Sequence, residues 1–81
     1  MDAKEQRRQK EIRKALGERI RTLRQKRKRW SSQQAFADAC GMSVDTLGQI
    51  ERGETNTRLS VMMRIARSLN VSVSRLFQDI F

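Results

Sequence analysis

Apolar residues recur at helical spacing along most of this chain, and each run is bounded by residues that start or stop helices. The spacing predicts a first helix, secure from about Glu11, whose stripe is Ile12, Leu16, Ile20, Leu23 and Trp30 with Arg and Lys around it. Asp2 and Glu5 have capping-box spacing, so this helix can begin almost at the N-terminus. Residues 1–10 have no apolar stripe to dock them, and the expectation there is a frayed extension or an arm that orders on a ligand. Ser32 caps a second helix containing Phe36, Ala39 and Cys40, and Gly41 closes it in the left-handed conformation. Ser43 caps a third, with Met42 and Leu47 as a hydrophobic staple, Leu47 and Ile50 as its buried face and Gly53 as its end. A polar loop, residues 54–58, leads to a fourth helix capped by Asn56 or Thr57. Its apolar face is Leu59, Met62, Ile65, Ala66 and Leu69, and Asn70 closes it. Ser72 caps a short fifth helix with Val73, Leu76, Phe77 and Ile80, and Phe81 follows.

The second and third helices, joined by a tight turn containing glycine, make a helix-turn-helix. At about 100° per residue, Val44, Asp45, Gly48, Gln49 and Arg52 share one face of the third helix, opposite Leu47 and Ile50. That face is small or polar, and a major groove admits one such helix among hydrogen-bonding base edges. On an arbitrary amphipathic helix the same face would simply meet solvent. Gly48 costs about 1 kcal/mol relative to alanine. It is either a merely tolerated glycine or one that lets a base or sugar approach.

Charge shifts the balance. Residues 1–30 hold 13 Lys/Arg against 4 Asp/Glu, whereas residues 31–81 hold 5 of each, so the whole net charge of +9 sits in the first third. Beside a helix-turn-helix, that excess suits the phosphates of a nucleic acid. Lys26 to Arg29 complement the dipole at the end of the first helix, but four cations exceed that need, and Lys28 and Arg29 are expected at the DNA backbone. Gln33 falls in the first turn of the second helix, where free amides meet phosphate.

Other classes recede. The chain has no proline and few β-branched runs, which points to an all-α domain, with residues 1–11 as a basic extension and 12–81 as the domain. With 81 residues it buries only roughly 60% of its unfolded surface, so a second copy would add stability. There is no histidine and one cysteine, which removes a histidine base, an intrachain disulfide and the usual zinc sites. Cys40 reads as a small buried residue. No catalytic cluster, cofactor motif or small-molecule ligand is evident, so an enzyme is not expected. No apolar run approaches a membrane span and no signal segment follows the basic start, so a cytoplasmic protein is expected. The apolar load at Leu76, Phe77, Ile80 and Phe81 exceeds what one core needs, and a self-complementary dimer contact is expected there.

The segment from Leu16 to Arg24, then Ser32-Gln33, Ala37, Gly41 to Ser43, Ile50 to Gly53, Ile65-Ala66 and Leu69 to Ser72 resembles the Cro/phage-repressor-type (XRE) helix-turn-helix family. The resemblance runs from about Leu16 to Phe77. It implies a lambda-repressor-like bundle of five helices, usually dimeric, that binds operator DNA to regulate transcription. Val44–Arg52 is then the recognition helix, with Val44, Asp45, Gly48 and Gln49 facing bases. Ser43 and Gln33 lie at the DNA backbone, Arg24 and Glu51 form a structural ion pair, and Arg52, Thr55, Asn56 and Arg58 flank the backbone. The family often has proline where Thr57 stands and serine where Gly48 stands. The proline-free loop resembles restriction–modification controller proteins, but Val44 and Asp45 replace the arginine and threonine expected in that subgroup, so its operator does not transfer.

Val44 suits a thymine methyl, Gln49 an adenine, and Asp45 either a cytosine N4 or the dipole of its own helix. The leading expectation is a sequence-specific double-stranded DNA-binding regulator acting as a homodimer. An antitoxin-type regulator would need a toxin-binding segment, and only residues 1–13 are spare. A protein–protein module keeping the fold would suit the uncharged or acidic face of the third helix but not the basic first third.

Overall fold

Side-chain caps open four of the five α-helices in the computed structural model, which describes residues 2–81. Asp2 accepts from the Glu5 amide at 2.8 Å, Ser32 from Ala35 at 3.3 Å, Ser43 from Thr46 at 3.1 Å and Ser72 from Arg75 at 3.2 Å. Each such cap is worth about 1 kcal/mol. The helices are α1 (Ala3–Gln25), α2 (Gln33–Cys40), α3 (Val44–Glu51), α4 (Leu59–Leu69) and α5 (Val73–Leu76), with a 3-10 turn at Lys28–Trp30. Gly41, Gly53 and Asn70 take positive φ after α2, α3 and α4. The amide of the following residue then reaches back to Ala37, Gln49 and Ala66 respectively, at 2.9–3.0 Å. All three closures are the Schellman type that the glycine and asparagine positions imply.

Leu16, Ile20 and Leu23 of α1 meet Phe36, Ala37 and Cys40 of α2, Leu47 and Ile50 of α3, Ile65, Ala66 and Leu69 of α4, and Leu76 of α5 in one core. α1 lies directly on α3, because Gly17 presents no side chain to the Ile50 and Glu51 carbonyls and Gly53 none to the Lys14 backbone. Arg19 donates to the carbonyls of Arg75 at 2.9 Å and Gln78 at 2.8 Å, which ties the end of the chain to α1.

Several expectations need correction. α1 is helical from Ala3, as the spacing of Asp2 and Glu5 allows, and not frayed to Lys10, because the Asp2 cap and the acidic Glu5 favour its start. Trp30 does not continue the α1 stripe: the helix stops at Gln25, and the chain folds back so that the Trp30 and Ser31 carbonyls can accept from Arg24. Trp30 still closes the core, edge-on to Phe36 at 5.6 Å and donating from its indole nitrogen to Ser68. In α2 the buried alanine is Ala37, and Ala39 faces solvent. Arg58, not Asn56 or Thr57, is the residue before α4, without a side-chain cap. Leu59 opens that helix 62% exposed, beyond the core's edge.

Burial pushes the Cys40 thiol above its ordinary value, against smaller opposing effects of a Ser68 hydrogen bond and the Arg64 charge. It is therefore a neutral thiol at pH 7, and thiolate is the reactive form. A thiol reagent is expected to label Cys40 only on unfolding, and rapid stoichiometric labelling of the native protein would contradict this placement.

Candidate nucleic-acid interface

A buried ion pair fixes how α3 is presented. Arg24 donates from Nε to Oε2 of Glu51 at 2.7 Å and from Nη2 to Oε1 at 3.2 Å. The two residues are 3% and 7% exposed. Nη1 of the same guanidinium serves the Trp30 and Ser31 carbonyls at 3.0 and 3.1 Å, and Gln33 donates to Oε1 of Glu51 at 2.8 Å. One arginine thus joins the end of α1, the turn before α2 and the end of α3. This is the pair expected at Arg24 and Glu51.

The outward side of α3 differs in detail from the sequence reading. Asp45 and Gln49 are exposed, as a reading face requires. Val44 is half-buried and packs on the core, so only part of it is available. Gly48 is not open: the Arg52 guanidinium lies over it, 2.9 Å from where a Cβ would stand. Arg52 in turn donates from Nε to Glu54 at 2.9 Å on the surface. That hydrogen bond, ahead of charge attraction, holds the Glu54 carboxyl below its ordinary value.

The residues expected at the DNA backbone fall into two groups. Lys28 in the 3-10 turn and Arg58 at the end of the α3–α4 loop are exposed, and Thr55 in that loop is half-buried. Others are already engaged within the protein. Gln33 is committed to Glu51, Ser43 caps α3 and also bonds the Thr46 hydroxyl at 2.9 Å, and Asn56 accepts from Arg13 at 3.3 Å. Arg29 stacks on Trp30, 4.8 Å from the ring centroid. A shallow depression between these elements is lined by Arg21, Arg24, Ser31, Gln33, Glu51 and Arg52. Arg21 escaped the sequence reading, though it follows Lys14 by seven residues and so shares its side of α1.

Of the expected dimer contacts, Leu76 is excluded, because it is fully buried as the α5 member of the core. Phe77 and Ile80 are half-buried against that core. Phe81 is 78% exposed and stacks on Phe77 at 5.6 Å. Among the described residues, no group of three His, Cys, Asp or Glu side chains is placed to hold a metal ion. No helix among them is long and apolar enough to cross a membrane.

Comparison with known proteins agrees with this geometry. A family model described as "Helix-turn-helix" matches residues 20–76. An uncharacterised HTH-type transcriptional regulator of Bacillus subtilis (strain 168), YazB, is 38% identical over 60 residues, which are 74% of this chain and 84% of that protein. The crystal structure of the restriction–modification controller protein C.AhdI from Aeromonas hydrophila superposes with a TM-score of 0.74 at 30% identity. That match covers 79% of this chain and 94% of the controller. The resemblance read from the motifs and the all-helical architecture are both borne out.

Proposed function

This chain belongs to the XRE-type helix-turn-helix family of DNA-binding transcriptional regulators, and we propose that it acts as a homodimer that reads a two-fold operator with α3 in the major groove. The observation that carries this reading is the buried Arg24–Glu51–Gln33 network, which locks α3 against α1 and α2 while Asp45 and Gln49 stay exposed. Charge supports it. The +9 excess lies wholly within residues 1–30, on α1 and the turn that follows it, and Arg21 lines the same depression as Gln33 and Arg52. The homodimer is supported by Phe81, whose exposed ring continues an apolar surface through Phe77 and Ile80.

Selection of bound sites from random duplex DNA tests all of this. The expected product is an inverted repeat with half-sites centred about 34 Å apart, one helical turn. Affinity should fall steeply with salt, by roughly one power of salt concentration for each phosphate neutralised. Recovery of no enriched sequence, or binding indifferent to salt, would contradict the proposal. A single unrepeated motif would leave DNA reading intact and remove the dimer.

A further inference from the structure

Gly48 lies at the centre of the outward face of α3, and the Arg52 side chain covers it. A Cβ at position 48 would stand 2.9 Å from Nη1 and 3.6 Å from both Cζ and Nη2 of Arg52. Arg52 is the residue that ends α3, and its side chain runs back one turn along the helix, the direction helical side chains favour. The guanidinium is thereby carried toward the N-terminal half of the helix, the part that recognition helices turn to base edges. Glu54 takes Nε at 2.9 Å and leaves Nη1 and Nη2 for an external pair of acceptors.

We infer that Arg52 reads guanine in the major groove, with Gly48 as its seat and Glu54 as the residue that positions it. The inference rests on the DNA-reading function proposed above. Guanine presents O6 and N7 side by side on its major-groove edge, and two parallel N–H groups of a guanidinium match them. A side chain meant only for phosphate would gain from pointing away from the helix toward the flanking backbone. Arg52 instead folds across the reading face, where its Nε is held by Glu54. Its Nη1 and Nη2 are left for directed hydrogen bonding, which distinguishes one base from another. The remaining outward residues, Val44, Asp45 and Gln49, include no cation, so Arg52 supplies the only guanidinium fork on this face of α3.

Site selection with the wild-type protein and with Arg52→Lys and Gly48→Ala tests the inference. Wild type should enrich guanine at one position of each half-site. Arg52→Lys keeps the charge but not the planar fork. It should bind with the same salt dependence while losing on the order of tenfold or more of its preference at that one position. Gly48→Ala should fold at least as well, since alanine is the better helix former, yet lose the same preference, because the new Cβ displaces the guanidinium. Melting curves of both variants confirm that the fold is kept. If Arg52→Lys returns the wild-type consensus with its guanine, Arg52 contacts phosphate and the inference falls while DNA reading stands. If the wild-type protein enriches no sequence, both fall together.

Discussion

Gly17→Ala is expected to cost this protein a large share of its stability, although alanine is the better residue for a helix interior. Propensity alone favours the change by about 1 kcal/mol, as it does for Gly48→Ala in α3. Packing reverses the sign at position 17. The new Cβ would stand 2.3 Å from the Ile50 carbonyl oxygen, 2.5 Å from that of Glu51 and 2.8 Å from the Glu51 carbonyl carbon. These are backbone atoms of the last turn of α3, so no side-chain rotation relieves the overlap. At position 48 the nearest atom is instead the far end of a flexible arginine.

Overpacking of a tight interior commonly costs about 1–3 kcal/mol, and a clash with fixed backbone belongs at or above the top of that range. Small domains have only about 5–15 kcal/mol to lose. Urea denaturation of the two glycine variants side by side reads this directly: the midpoint should fall sharply for Gly17→Ala and hold or rise for Gly48→Ala. Equal stability of Gly17→Ala and wild type would mean that α1 does not lie on α3 as described. Any surviving folded fraction should also bind DNA poorly, since α1 can yield only by moving away from the end of α3 and pulling Arg24 off Glu51.

The contrast between these glycines marks what could be read without coordinates. Caps and closures, except at the start of α4, were legible because they depend on residues within a few positions of each other. Ser32, Ser43 and Ser72 open helices, and Gly41, Gly53 and Asn70 end them, as the pattern implies. The core stripe was legible for the same reason, apart from Ile12, Ala39 and Leu59, where helical spacing places a residue on a face but does not say how far the covering layer extends, and Trp30, which lies past the end of α1. What stayed hidden depends on contacts between distant segments. Nothing local distinguishes Gly17, pressed on a carbonyl 33 residues away in sequence, from Gly48, roofed by its own helix. The engagement of Asn56 by Arg13 and of Gln33 by Glu51 is hidden for the same reason. The Arg24–Glu51 pair was available only through family resemblance, because charges 27 positions apart carry no periodic signal.

That pair supports the second large effect. Arg24→Ala should destabilise the protein by about 3–5 kcal/mol, the usual result of leaving one member of a buried pair without its partner. The Glu51 carboxylate would keep only Gln33, and the Trp30 and Ser31 carbonyls would lose their shared donor. Replacing both charges together, Arg24→Met with Glu51→Leu, should recover much of that loss, because buried pairs exchanged for apolar residues of similar volume often come out neutral or better. Recovery should be incomplete here, since the two carbonyls stay without the donor and Gln33 loses its acceptor.

Stability and DNA binding should therefore separate in the double variant. The apolar pair can fill the space between α1 and α3, but it has no directional bonds to hold α3 in one register relative to α2. Unfolding free energies of Arg24→Met, Glu51→Leu and the double variant, from denaturation midpoints and slopes, give the coupling energy, and titration with the selected operator gives the binding. The expected outcome is a double variant that is more stable than either single one yet binds the operator more weakly than wild type. Full operator affinity in that variant would show that apolar packing alone orients α3, and the ion pair would then be dispensable for presenting the reading face.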